Sequence, residues 1–178
     1  EVCQVSFVWN HQMRVDLHSH STASDGQLTP AELVRRAVAQ RVDVLALTDH
    51  DVVSGLGEAQ ATIASEQLPL RLIPGIELST SWDSLEIHVV GLNIQSEAPA
   101  LQSAIATQSQ ARQARGVEIG RRLAKQRIEL AYEGTLALAG EASLTRAHFA
   151  RYLVQAGYCQ NQQKAFDHYL GRGGKAYV

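Results

Sequence analysis

The sequence of 178 residues is poor in several things. Its two cysteines, Cys3 and Cys159, are far apart and form no C-x-x-C spacing, so neither a disulfide framework nor a thiolate zinc site is supported. Aromatic residues make up only 6%, lysine occurs three times and methionine once, at Met13. No apolar run approaches the roughly 18 residues that a membrane span needs, and the N-terminus lacks the basic start and apolar core of a signal peptide. These absences predict a cytoplasmic protein with no membrane partner. No single charge dominates either: the formal net charge is −2, with 19% charged and 45% hydrophobic residues. That balance excludes a disordered acidic or basic tail and predicts a folded chain with a core.

Near-neutrality hides an asymmetry. Residues 1–95 carry 5 Lys+Arg against 12 Asp+Glu, and residues 96–178 carry 11 against 6. Such a split fits carboxylates gathered around cations in one half and an anionic substrate met by the other.

Residues 1–12 read as a leader or extension, and Val5, Phe7 and Val8 are β-formers that allow an added edge strand equally well. From Met13 the elements alternate. Val15 to Leu17 predicts a first strand. Thr29-Pro30-Ala31-Glu32 is a capping box with proline at the first helical position, and Leu33, Val34, Ala37 and Val38 give the helix one apolar face to about residue 40. Val42 to Thr48 predicts a buried second strand, and Ser54 is expected to cap a helix to about Gln67. Leu70 to Pro74 and Leu85 to Leu92 predict two more strands. Strands alternating with helices imply parallel pairing with right-handed crossovers, in a barrel or a doubly wound sheet. After Pro99 the period becomes helical, with a long helix from about Ala100 to Arg127, then Thr145 to Gln155 and Asn161 to Leu170. The fold class is α/β: a first barrel part over 13–97, a helical insertion over 98–170, and a return to the barrel over 171–178.

The densest chemistry is in Asp16-Leu17-His18-Ser19-His20-Ser21-Thr22-Ala23-Ser24-Asp25-Gly26. Residues i and i+2 of a strand face one side, so His18 and His20 at a strand end direct both imidazoles at one point. H-x-H alone is a weak metal signal. Here, however, the second strand ends in Thr48-Asp49-His50-Asp51, the third in Gly75-Ile76-Glu77, and the fourth carries Glu86-Ile87-His88. Donors at the carboxyl ends of parallel strands converge on one face of an α/β barrel. Burying so many ionisable groups without cations would cost several kcal/mol each, which argues against a purely structural role. Imidazole with carboxylate and no thiolate suits Zn²⁺, Mn²⁺ or Fe²⁺. Six donors are too many for one ion, so two or three divalent ions bridged by Glu77 are expected. Clustered cations acidify a shared water and neutralise phosphoryl oxygens, which points to phosphate-ester hydrolysis.

In order and spacing, DLHSHSTASDG, ALTDHD, PGIE and EIHVVG resemble the PHP (polymerase and histidinol phosphatase) metal-dependent phosphoesterases, over about residues 14–178. The resemblance implies metal-ligand roles for His18, His20, Asp25, His50, Glu77 and His88, in a distorted (β/α)7 barrel holding up to three ions, with Mn²⁺ the expected metal. The arginine-rich helix, Thr145-Arg146-Ala147-His148 and Tyr169-Leu170-Gly171-Arg172-Gly173 are similar to bacterial members of the nucleoside 3′,5′-bisphosphate phosphatase and short-RNA 5′ exonuclease type. A small phosphorylated nucleotide or short RNA is then the expected partner, with no protein partner implied. The enzymatic alternatives are a histidinol phosphatase-like member or an amidohydrolase-type hydrolase, which also places H-x-H after its first strand. A non-catalytic module binding metal or nucleic acid is the alternative of another class.

One departure stands out. The family's later His-Pro and final Asp-x-His are absent, since after His88 only His148 and His168 offer imidazole and neither has that context. Three expected ligands are missing. This predicts a chain that stops short, closing on a strand-like Ala176-Tyr177-Val178, or else a degenerate member.

Among the basic residues, Arg112, Arg115 and Arg122 fall on one helical stripe. A solvated face, with Glu118 pairing Arg115 or Arg122, competes with contact to substrate phosphate, which arginine binds bidentately. Arg115 and Arg146 are the candidates for substrate binding. His148 reads as a surface or core histidine, with a catalytic acid the alternative. Gly171 to Lys175 reads as a tight turn, with a phosphate nest the alternative.

Overall fold

Thr29 starts the first helix in the expected way. Its side chain accepts the Glu32 N–H, the Glu32 carboxylate accepts the Thr29 N–H at 2.9 Å, and Pro30 opens the helix. The computed structural model describes residues 12–83 and 85–178; the expected leader or edge strand over 1–12 lies, but for Gln12, outside them. The elements run β1 (Val15–Asp16), α1 (Pro30–Ala39), β2 (Val44–Leu47), α2 (Gly55–Ser65), β3 (Arg71–Trp82), β4 (Leu85–Leu92), α3 (Pro99–Ala124), α4 (Ala131–Ala139), α5 (Arg146–Gln155) and α6 (Gln162–Ala165), which continues in a π-helical turn, Phe166–Leu170. Ser54 precedes α2 but makes no side-chain cap, because its backbone is already helical.

The sheet has the order β1-β2-β3-β4. The β1–β2 and β2–β3 pairs are parallel, joined through α1 and α2. The expectation of parallel pairing fails at the fourth strand, where β3 and β4 are antiparallel, with Ser79 opposite His88 and Glu77 opposite Val90. Only Asp83 and Ser84 separate these strands, far fewer than the dozen residues a parallel crossover needs. Asp83 takes the left-handed backbone such a turn demands, with φ at 51°. The third strand also runs well past Pro74, giving the hairpin its length.

Two apolar clusters hold the elements. Val34, Leu45, Leu47, Leu56 and Ala59 lock α1 and α2 onto one face of the parallel strands. Ile119, Leu123, Ile128, Phe149, Leu153 and Leu170 gather α3 to α6. The helix α4 was not expected. Leu130, with φ at 56°, turns the chain into it, and Tyr132 then packs onto Gly116 and Gly120 of α3, where a side chain would collide. Ala176 is buried in this second cluster and residues 176–178 form no strand, contrary to the strand-like closing segment expected. Gly171 to Lys175 is a tight turn, with Gly173 at φ 83° and the Gly174 N–H bonded to the Gly171 carbonyl.

Candidate metal centre

His18 and His20 follow the end of β1, and the next turn carries Asp25. Asp49, just beyond β2, holds that turn: Oδ1 accepts the Ser21 N–H at 2.7 Å and the Ser24 hydroxyl at 2.6 Å, and Oδ2 accepts the Ser21 hydroxyl at 2.7 Å. Gly26 presses against the His20 carbonyl so closely that no side chain fits there. His50 pairs with Glu77 across strands, since the Glu77 N–H donates to the Asp49 carbonyl at 3.1 Å and the Asp51 N–H donates to the Glu77 carbonyl at 3.0 Å. His88 lies diagonally across the hairpin from Glu77, within reach on the same face.

All six expected donors come together. Glu77, only 5% exposed, is the centre. Its Oε2 lies 2.8 Å from His18 Nε2, 3.1 Å from His20 Nε2 and 3.5 Å from His50 Nδ1, and its Oε1 lies 2.9 Å from His88 Nδ1. Asp25 stands 3.9 Å from His20 Nδ1 and 3.7 Å from His50 Nε2. Three overlapping sets result, each with donor atoms within 4.8 Å of one another: His18, His20 and Glu77; His20, Asp25 and His50; His50, Glu77 and His88. Glu77, His20 and His50 each serve two sets. Contrary to expectation, Glu77 and His88 do not sit at the ends of parallel strands. They project from within β3 and β4, because the hairpin brings β4 back across the site.

The donors fit divalent cations. The Nδ1 atoms of His20 and His50 are buried and form no hydrogen bond, which is costly for polar atoms unless a cation satisfies them. The His18 and His20 Nε2 atoms face each other at 3.0 Å, and the His20 and His50 rings stack at 4.6 Å. Burial holds the His50 imidazole below its ordinary pKa despite Asp25 and Glu77 nearby, so it stays neutral and able to coordinate. Burial alone would raise the Glu77 carboxyl, yet hydrogen bonding from His18 and then from His88 brings it below its ordinary value.

Arg115 and Arg146 stand beside this cluster. Both bind Glu86, Arg115 at 3.1 Å and Arg146 at 2.7 Å. With Asp25, His50, Glu86 and His88 they line a cavity of about 180 Å³. Burial, then the neighbouring Arg146 and Arg112, lower the pKa of Arg115. Arg112 corrects the solvated-stripe expectation. It is buried, donating to Asp51 at 2.7 Å, the Ser79 hydroxyl at 2.7 Å and the Leu144 carbonyl at 3.1 Å, so α3 is fastened to the residue after His50. Arg122 does pair with Glu118, at 2.7 Å. His148 is a buried cap: its Nδ1 accepts the Thr145 N–H at 3.1 Å, and burial lowers its pKa to about 4. Sequence reasoning missed the supporting roles of Asp49, Asp51, Arg112 and Glu86. Asp-His-Asp around His50 was the visible signal for the first two.

An α/β fold with a pocket of imidazoles and carboxylates able to hold metal defines the class, and the chain belongs to the PHP domain family, whose profile matches residues 16–176. It is 49% identical over 169 residues to the 5′-3′ exoribonuclease Rnm of Salmonella typhimurium, covering 95% of this chain and 58% of that protein. It is 38% identical over 165 residues to the 3′,5′-nucleoside bisphosphate phosphatase of Chromobacterium violaceum, covering 92% and 57%. Among solved structures, it resembles an amidohydrolase from Chromobacterium violaceum with bound sulfate and no metal (TM-score 0.86, 37% identity, 93% of this chain and 58% of that one). It also resembles a metal-dependent phosphoesterase from Bifidobacterium adolescentis (TM-score 0.85, 28% identity, again 93% and 58%). The chain thus spans under three fifths of the length of these relatives.

Proposed function

We propose that this chain provides the metal-binding part of a metal-dependent phosphoesterase that hydrolyses phosphate esters of small nucleotides or of RNA 5′ ends. His18, His20, Asp25, His50, Glu77 and His88 would hold two or three divalent ions, with Mn²⁺ favoured and Zn²⁺ or Fe²⁺ compatible with the same donors. The observation that carries this reading is the convergence of six donors in three overlapping sets around one buried carboxylate. When bound, such ions supply Lewis-acid stabilisation of phosphoryl oxygens and acidify water. The protein's own part is positional. Asp49 fixes the turn that carries Asp25, the β3–β4 hairpin sets His88 against Glu77, and Arg115 and Arg146 offer guanidiniums to substrate phosphate at the edge of the cluster.

In this reading residues 13–97 are the first part of a distorted (β/α)7 barrel, 98–170 a helical insertion and 171–178 the way back, and the full-length protein completes the site. The names of the exoribonuclease and bisphosphate phosphatase relatives support a nucleotide or RNA substrate, and a cytoplasmic setting goes with it. The test is phosphate or nucleotide release by the full-length protein from adenosine 3′,5′-bisphosphate and from 5′-phosphorylated RNA, with Mn²⁺. Glu77→Gln is expected to lower kcat by about 100-fold or more. A rate indifferent to both chelator and Glu77→Gln would overturn the proposal.

A further inference from the structure

The turn that carries Asp25 is held from two sides. On one, Asp49 takes the Ser21 N–H and the Ser21 and Ser24 hydroxyls, and the Gly26 N–H closes the turn onto the Ser21 carbonyl at 2.8 Å. On the other, three successive residues of the turn bond to the segment that forms α5. The Ser143 N–H donates to the Ala23 carbonyl at 2.9 Å. The His148 ring, whose Nδ1 accepts the Thr145 N–H, makes a further hydrogen bond to the Ser24 backbone. Arg151 Nη2 donates to the Asp25 carbonyl, 126 residues away in sequence. His148 and Arg151 are three apart on α5 and share a face, while Phe149, Ala150 and Leu153 fix that helix in the second core cluster. Arg112 holds the start of the same segment through the Leu144 carbonyl.

The Asp25 carboxylate stands 3.9 Å from His20 Nδ1 and 3.7 Å from His50 Nε2, too far for hydrogen bonds, so these two imidazoles do not place it. Its position follows from the backbone of the turn. With His20 and His50 it forms one of the three donor sets, in which the buried His20 Nδ1 has no hydrogen-bond partner. Arg151 can act on that set in two ways, and they differ in sign. A guanidinium acting through charge alone repels a nearby cation, so its removal would tighten cation binding. A guanidinium that fixes a ligand's backbone has the opposite effect, and its removal weakens binding.

Resting on the metal-centre reading above, we propose that Arg151 is a positioning residue of that centre: by holding the Asp25 carbonyl it makes α5 set the His20–Asp25–His50 site for a divalent cation. The experiment titrates Mn²⁺ into the metal-free, full-length protein and reads free Mn²⁺ by electron paramagnetic resonance, with circular dichroism as the check on folding. Arg151→Gln is expected to weaken the binding of one ion by about 10- to 100-fold and to leave the others unchanged. In an Asp25→Asn background the same substitution should cost less than about twofold, because the ligand it acts through is already gone. Arg151→Lys keeps the charge and one donor, so a smaller loss at the same ion is expected; it carries the test if Arg151→Gln does not fold. Unchanged or tighter binding in the folded variants, or an undiminished further loss in the Asp25→Asn background, would overturn the role of Arg151 and leave the metal centre standing. A wild type that binds no Mn²⁺ would overturn both.

Discussion

At position 77 a nearly buried carboxylate faces four imidazoles at 2.8 to 3.5 Å, an arrangement that neutral packing does not explain. Around it, single side chains do separate jobs: Asp49 holds a turn, Arg112 ties α3 to Asp51, and His148 closes the start of α5. His148 has a pH signature of its own. Burial and the Arg151 charge depress its pKa from the ordinary 6.5 to about 4, with Asp25 and the Ser24 backbone opposing and Arg112 adding to the depression. Between those values the unfolded chain takes up a proton that the folded chain refuses, so stability falls as pH drops from about 6.5 toward 4 and is fully present above that window. Denaturant melts of the full-length protein at pH 7 and pH 4.5 should show His148→Gln losing less stability on acidification than wild type, because glutamine accepts the Thr145 N–H without titrating. Equal losses in the two proteins would refute this. The six side chains of the cluster were legible in the sequence because imidazole and carboxylate recur at strand-like spacing. The partners of Asp51 and Glu86 were not, because Arg112 lies 61 residues from Asp51 and Arg146 lies 60 from Glu86, and no local pattern encodes such pairs.

Helix and strand positions followed from caps and periodicity wherever these were strong. The capping box at Thr29 and the apolar run of β2 are the clear cases. Strand direction departs from the expectation at β4 because β3 runs on past Pro74 to Trp82, leaving a two-residue link too short for a parallel crossover. Helix α4 escaped because it starts from a left-handed Leu130 and carries Gly134 in its middle, both poor local helix signals. Its position depends on contact with α3. A Cβ on Gly120 would lie 2.6 Å from the Tyr132 Cβ, an atom fixed to the backbone and unable to swing aside. Gly120→Ala therefore sets a gain of about 1 kcal/mol in helix propensity against about 1–3 kcal/mol of overpacking. The overpacking term prevails: the thermal midpoint should fall, and a midpoint equal to or above wild type would contradict the close α3–α4 contact.

Across the whole molecule the charge asymmetry takes a physical form. The acidic first half contains the donor cluster with its two carboxylates, and the basic second half sends Arg115 and Arg146 to the edge of that cluster. The two halves meet at Glu86 and at the Asp51–Arg112 pair, so members of the imidazole and carboxylate cluster and the two arginines line one cavity. Glu77 and its five neighbours are proposed to form a single multi-ion centre. This is tested most directly by elemental analysis of the full-length protein after dialysis against Mn²⁺. About two or three ions per chain are expected, falling by at least one in Glu77→Gln while circular dichroism stays unchanged. A metal-free wild type, or a Glu77→Gln variant that keeps every ion, would contradict it.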